Sequence, residues 1–268
     1  MPMPSHFPSL GHTRSALRRD HLLHTPDTFV RIPLPAIERG TAIVHTSAAA
    51  GAGFTQYTAE LEHSGTLAPC IDQRFLFLLE GSAQIVLTTV TEDAAEPREA
   101  SHSMQPGSYA FLPSATRARL SALEPSRLVV IEKVYEPHPT LPPPLAVFGH
   151  EEAVTATPLM GDPDLEVRAL LPDSPAYDFA VNVMTYQPGA ALPMVEVHVM
   201  EHGLLMLAGG GIYRLGDQWY PVGEGDFIWM APWCPQWFGA LGKQPARYLI
   251  YKDFNRHPHI SRAQPCDR

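Results

Sequence analysis

The sequence predicts an all-β protein made of two copies of one β-barrel unit. Three observations carry that expectation: short apolar runs rich in β-branched and aromatic residues, prolines and glycines spread between them, and a set of landmarks that occurs twice.

The apolar runs fall at 74–79 (RFLFLL), 84–90 (QIVLTTV), 127–134 (RLVVIEKV), 179–186 (FAVNVMTY), 226–230 (DFIWM) and 247–251 (RYLIY). Each has the length and composition of a strand, and turn residues bound them, which reads as a barrel or sandwich. No stretch of about 12 residues combines helical periodicity with helix caps. The 28 prolines and 19 glycines punctuate short strands better than long helices.

The landmarks repeat once. Glu80-Gly81-Ser82, then Pro106-Gly107-Ser108, then Arg127-Leu128-Val129-Val130-Ile131 mark the first half. Ala208-Gly209-Gly210, then Glu224-Gly225-Asp226, then Arg247-Tyr248-Leu249-Ile250-Tyr251 mark the second. A polar insertion near 91–103 lengthens the first copy. Between the halves, 136–145 (EPHPTLPPPL) holds five prolines and reads as a stiff connector. The expected organisation is an N-terminal arm over 1–30, a first barrel over 31–135, the connector, and a second barrel over 146–268. The arm could pack on a neighbouring subunit.

Bulk composition narrows the function classes. With 268 residues, 45% hydrophobic and 18% charged, the chain is a globular protein with ample core. A formal net charge of -9 argues against nucleic acid as a partner. No apolar run reaches membrane-spanning length, and the first 30 residues hold no signal-peptide apolar region. Three widely spaced cysteines (Cys70, Cys234, Cys266) suit a reducing compartment, so a cytoplasmic location is expected.

The second half carries two motifs that resemble the cupin family. Glu196, His198 and His202, with Gly209 beyond them, fit its first motif. Gly225 opens the second, and Gln236 follows eleven residues later. A strict cupin has His, His, Glu, His. This chain has Glu, His, His, Gln, and Ala231 stands where a proline is usual, with Pro232 one place late. The resemblance implies a bicupin: two fused cupin (double-stranded β-helix, or jelly-roll) barrels. The same ruler in the first half gives Ala68, Cys70, Arg74 and Ala118, which cannot hold a divalent ion. The first barrel is therefore read as structural and metal-free.

Glu196, His198 and His202 share strand parity, so they point together if the strand is regular or turns locally. Two imidazoles, a carboxylate and an amide oxygen suit Mn²⁺, Fe²⁺, Co²⁺ or Ni²⁺. Four protein ligands leave two octahedral positions, and one anionic ligand leaves about +1 net charge, which attracts a carboxylate. A rival reading is the H-x-x-E-H pattern of some zinc peptidases in His198–His202 (HVMEH), which requires a helix.

The ligand set resembles the (S)-ureidoglycine aminohydrolase family, bicupins of purine (allantoin) degradation. The likeness runs through VEVHVMEHGLLMLAGGGIYRLGDQWYPVGEGDFIWM and RYLIYKDFNR (247–256), with weaker echoes at GHTRS (11–15), HTPDTF (24–29) and FLFLLEG (75–81). It implies hydrolysis of (S)-ureidoglycine to (S)-ureidoglycolate and ammonia with one Mn²⁺ per chain. Metal ligands carry over to Glu196, His198, His202 and Gln236; substrate-binding and catalytic contacts carry over to Tyr213, Tyr248 and Lys252. At the Tyr248 and Lys252 positions the first half has Leu128 and Glu132. Without the resemblance, the tyrosines read as barrel packing and Lys252 as a solvated charge. Trp233 and Trp237 flank Gln236 and are candidate pocket walls. Glu201 is a candidate support for a ligating histidine. A homo-oligomer is the default assembly. The alternatives are another metal-dependent bicupin enzyme, a dioxygenase or isomerase on a small carboxylic acid, or a non-catalytic small-acid-binding bicupin.

Overall fold

The structure is a computed structural model and describes residues 12–89 and 98–253. The expected motif tail at 254–256, Gly11, Cys266 and the start of the polar insertion lie outside the described residues. Among the described residues, regular structure is strand apart from three single-turn 3₁₀ segments, at Pro26–Thr28, Ala48–Ala50 and Glu151–Ala153. No helix is long and apolar enough to cross a membrane.

Strands β1 (Ala16–Leu17), β2 (His21–His24), β3 (Ile37–Thr46), β4 (Thr55–Leu67), β5 (Gln73–Glu80), β6 (Ala83–Thr89) and β7 (Arg98–Met104) come first. Next are β8 (Ser108–Leu112), β9 (Ala118–Ala122), β10 (Ser126–Lys133), β11 (Val147–His150), β12 (Thr157–Leu159), β13 (Asp162–Ala169) and β14 (Ala180–Tyr186). The chain then forms β15 (Glu196–Val197), β16 (His202–Ala208), β17 (Gly210–Leu215), β18 (Gln218–Gly223), β19 (Phe227–Met230), β20 (Pro235–Ala240) and β21 (Ala246–Lys252). All six apolar runs lie within or across strands. Residues 136–145 carry neither helix nor strand, as five prolines without free N–H groups dictate.

The strands form three sheets. A nine-stranded sheet runs β11-β8-β5-β10-β4-β9-β6-β7, with β3 on β4. An eight-stranded sheet runs β1-β2-β19-β16-β21-β14-β13-β12, and a four-stranded sheet runs β15-β20-β17-β18. The described chain divides into two compact units. One contains 12–29, 158–166 and 184–250; the other contains 30–157, 167–183 and the chain from 251.

The unit with the nine-stranded sheet closes over a core that includes Leu67, Leu76, Leu78, Ile85, Leu128 and Val130. Where the ruler looks for metal ligands, this unit holds an ion pair. Arg74 is buried and donates to Glu132 from Nε (2.8 Å) and to the Ala68 carbonyl from a terminal nitrogen (2.7 Å). Tyr57 donates its hydroxyl proton to the same Glu132 carboxylate at 3.0 Å. Ala118 is buried and apolar.

The other unit contains the four-stranded sheet. Its first strand pair shows what becomes of residues read as an arm. In β2, His21–His24 pairs with Met230–Phe227 of β19, and Leu23 is fully buried. Arg14 clamps this segment: its guanidinium makes a two-pronged pair with the wholly buried Asp226, which also accepts the Gly223 N–H at 2.9 Å. The described part of the arm is thus a structural strand on the same chain.

The two landmark sets adopt the same local geometry. Gly81 and Gly209 both have positive φ, +83° and +66°. A Cβ on Gly81 would sit 2.3 Å from the Pro125 carbonyl, and one on Gly209 would sit 2.4 Å from the Pro245 carbonyl. Gly107 N–H donates to Leu78 O, and Gly225 N–H donates to Met206 O, each at 2.9 Å. Each acceptor stands three residues before its landmark glycine. The repeat read along the chain is therefore a repeat of backbone contacts that only glycine permits at the turn.

Candidate metal centre and active site

The four expected ligands lie in one unit, on three strands and the link between two of them. Glu196 opens β15 and pairs directly with Gln236 on β20. The chain then leaves the sheet. Residues 198–201 carry no strand, and the His198 carbonyl accepts the Trp233 N–H at 2.7 Å. His202 restarts the chain as the first residue of β16, opposite Met230. The local turn is thus what aligns these residues, not one regular strand. The helix required by the zinc-peptidase reading is absent.

Distances show how closely the set is gathered. His198 Nε2 lies 3.1 Å from Glu196 Oε2, and the His198 and His202 rings are 5.2 Å apart between centroids. Gln236 Oε1 accepts the Tyr213 hydroxyl proton at 3.1 Å. Tyr213 lies on β17, diagonal to Gln236 across the β17–β20 pair. His202 and Gln236 are buried, while Glu196 and His198 keep 16% and 32% of their side-chain surface, so the set opens toward solvent on one side. The Glu196 carboxylate beside the His198 ring sets an oxygen and a nitrogen donor side by side. Gln236 keeps a second lone pair on an oxygen already oriented by Tyr213. This donor set fits a hard or borderline divalent ion.

Behind the ligands stands an aromatic wall. Tyr186 and Tyr248 share a hydrogen bond at 2.8 Å between hydroxyls. Phe238 packs edge-on against Tyr186 (5.0 Å) and Tyr248 (5.7 Å), and lies 5.4 Å from Tyr213. Burial, chiefly, holds the Tyr186, Tyr213 and Tyr248 phenols above the ordinary tyrosine range, and the Glu196 carboxylate contributes to each. At neutral pH these hydroxyls are proton-bearing donors, not bases. Tyr186 was not singled out in the sequence; its only signal was a tyrosine ending the run 179–186.

Other expected residues fall as follows. Lys252 ends β21, four residues beyond Tyr248 and on the same strand face. With the Asn182 amide turned so that its nitrogen donates to Val181 O (3.0 Å), Asn182 Oδ1 accepts from Lys252 Nζ at 3.3 Å. Glu201 is buried and accepts the Trp229 indole N–H at 3.0 Å. Trp237 does not wall the site. It alternates with the inward Gln236 and Phe238, and its indole donates to the Leu192 carbonyl at 2.7 Å.

One further cluster of potential ligands exists. Asp20, His21 and Cys234 have donor atoms within 4.8 Å of one another. These groups already satisfy each other: His21 reaches Asp20 and the Tyr220 hydroxyl, each at 2.9 Å. Burial, helped by Asp20, pushes the Cys234 thiol up to about 11, so it is a neutral packing group at pH 7.

Known proteins share both fold and sequence with this chain. A cupin domain matches residues 182–251, the stretch that holds the four candidate ligands. A probable (S)-ureidoglycine aminohydrolase from Oryza sativa subsp. japonica is 42% identical over 263 residues, covering 96% of this chain and 81% of that protein. The (S)-ureidoglycine aminohydrolase of Arabidopsis thaliana is 42% identical over 260 residues, covering 95% and 83%. The chain belongs to the (S)-ureidoglycine aminohydrolase family. Among solved structures, a putative glyoxylate-induced protein from Pseudomonas aeruginosa is similar, with a TM-score of 0.79 and 30% identity over 91% of this chain and 92% of that one. In this aminohydrolase-family chain, Glu196, His198, His202, Gln236, Tyr213 and Tyr248 all fall within the matched cupin stretch.

Proposed function

We propose that this protein hydrolyses (S)-ureidoglycine to (S)-ureidoglycolate and ammonia, as a step of purine catabolism, at a Mn²⁺ site held by Glu196, His198, His202 and Gln236. The observation that carries this reading is 42% identity over nearly the whole chain to relatives named for that activity, in a protein whose Glu196 and Gln236 stand opposite each other beside His198.

The substrate carries an amine, a ureido group and a carboxylate on one carbon. The bond from that carbon to the amine breaks, the ureido N–H gives up its proton, and ammonia departs to leave an acyl-imine. Water then forms the new carbon–oxygen bond and returns a proton to the ureido nitrogen. Bound Mn²⁺ would supply Lewis acidity and an anchor for the substrate carboxylate. The chain's residues do the rest. Tyr213, whose proton lies on Gln236, accepts a hydrogen bond from a ureido N–H, and Tyr248 hydrogen-bonds the ureido end from the same buried wall. Lys252 pairs with an anionic group of the substrate. Holding the reacting carbon against this wall leaves one face open to water, which gives one-handed addition.

We infer the wider organisation on the same footing. Residues 31–135 form a metal-free barrel and 146–268 the metal-bearing one, joined by 136–145, with the 1–30 segment supplying β1 and β2 beside β19. The acidic composition and the unpaired Cys70 and Cys234 support a cytoplasmic setting, and a homo-oligomer is the proposed assembly.

The test is metal dependence. Protein stripped of metal and reloaded separately with Mn²⁺, Fe²⁺, Co²⁺ and Ni²⁺ is given (S)-ureidoglycine generated in place from allantoate, and ammonia is followed. Mn²⁺ restores the highest rate above spontaneous decay. Equal rates with and without metal contradict the reading. A second outcome tests the Tyr213 contact. Tyr213→Phe leaves Gln236 without its orienting donor, so Mn²⁺ affinity by titration calorimetry falls about 10- to 100-fold. Unchanged affinity removes Gln236 orientation from the account.

A further inference from the structure

Tyr186, Tyr213 and Tyr248 are buried phenols, and their protons can be counted. Each hydroxyl carries one proton and accepts up to two hydrogen bonds. Tyr213 places its proton on Gln236 Oε1 at 3.1 Å. Tyr186 and Tyr248 hold two protons between them and share a single hydrogen bond, at 2.8 Å. Among the described residues neither of these two hydroxyls meets a second hydrogen-bond partner. One proton of the pair therefore has no protein acceptor, in surroundings where an unused donor is costly.

The positions of the two phenols favour Tyr248 as the holder of that proton. In the eight-stranded sheet, β21 lies between β16 and β14. Tyr248 is thus on the strand beside the one that His202 opens, and Tyr186 is one strand further away. Tyr186 has no exposed surface, while Tyr248 keeps 2%. The unit without the ligand set shows that the fold does not require the pair. There β4 flanks β10 as β14 flanks β21. Leu128 stands at the Tyr248 position, its cross-strand partner on β4 is Ala59, and both are wholly buried.

We propose that Tyr186 is a positioning residue: it donates its proton to the Tyr248 hydroxyl and so turns the Tyr248 proton toward the ureido carbonyl oxygen of the substrate. This rests on the ureidoglycine reading for the substrate and for Tyr248 as one of its contacts. A ureido group presents N–H donors and a carbonyl acceptor. Tyr213, its proton held by Gln236, has a lone pair for an N–H; Tyr248, one lone pair filled by Tyr186, has a proton for the carbonyl oxygen. The two hydroxyls then fix one orientation of the planar group. They also reject a group with donors at both places, because an N–H would face the Tyr248 proton.

Calorimetry with two ligands on Mn²⁺-loaded protein tests this. One is ureidoacetate, the substrate analogue lacking the leaving amine. The other is guanidinoacetate, in which an N–H donor group replaces the carbonyl oxygen. Tyr186→Phe keeps the ring and removes the internal donor. It is expected to melt within about 4 °C of wild type and to hold the same metal. Its Tyr248 hydroxyl is free to rotate, so ureidoacetate binds about three- to tenfold more weakly, guanidinoacetate changes by less than about twofold, and the preference between them falls. In a Tyr248→Phe background, Tyr186→Phe costs less than about twofold in ureidoacetate affinity, because its effect passes through the Tyr248 hydroxyl. Unchanged ureidoacetate affinity in Tyr186→Phe, equal losses for both ligands, a further loss in the Tyr248→Phe background, or loss of metal or fold overturns the proposal. A wild type that binds neither ligand contradicts the ureidoglycine reading and the Tyr186 role with it. A wild type that binds ureidoacetate but does not turn over ureidoglycine sinks the reaction assignment alone, and the Tyr186 comparison is still read from binding.

Discussion

His202→Ala lowers kcat/KM by about 10³-fold or more and removes most of the bound Mn²⁺, measured by coupled ammonia release and by elemental analysis of the same sample. His202 is buried at the start of β16. The loss should be specific to this unit. Cys70→Ala, at the matching ruler position for His198 in the other unit, should leave metal content and rate unchanged. Equal metal binding by His202→Ala would mean that the ion sits elsewhere, with Asp20, His21 and Cys234 the first place to look.

Asp178→Ala destabilises the protein by about 3–5 kcal/mol, read from urea unfolding. Asp178 is wholly buried and accepts three hydrogen bonds: from Lys133 Nζ at 2.6 Å, from Gln73 Nε2 at 2.6 Å and from the Glu136 N–H at 3.0 Å. Removing the carboxylate leaves a largely buried ammonium with the Val134 carbonyl at 3.3 Å and, at 3.7 Å, the carboxylate of the mostly exposed Glu136. Desolvation makes the unpaired charge costly, where the intact pair was close to neutral in its net contribution. The double variant Asp178→Ala/Lys133→Met should therefore recover most of the loss. A single variant within about 1 kcal/mol of wild type would show that water reaches the site.

The strands and the repeat were legible because both are local signals. Residues such as Phe75–Phe77 and Leu128–Ile131 cannot avoid burial, and Gly81 and Gly209 mark turns no other residue fits. The proximity of the candidate ligands was legible because motif spacing survives as register: Glu196 and Gln236, 40 positions apart, are cross-strand partners. What the sequence hid was non-local. Nothing in HLLH (21–24) announces β19 as its partner, so this stretch read as an arm rather than as a strand of the second-half sheet. Arg74 and Glu132 read as the lack of ligands; only the structure shows them forming an ion pair. Tyr186 gave no motif, since its role depends on a hydroxyl from a strand more than 60 residues on. Trp237 was misjudged because proximity to Gln236 along a strand places it on the opposite face.

The most direct test of the account is the handedness of the product. Metal-stripped protein, with and without added Mn²⁺, is given freshly generated (S)-ureidoglycine, and the ureidoglycolate is resolved on a chiral column. The site described here, with one wall of tyrosines and a ligand set open on one side, predicts the single (S) product from the Mn²⁺-loaded protein and racemate from the stripped one. Racemic ureidoglycolate at the spontaneous rate from folded, Mn²⁺-loaded protein would contradict it.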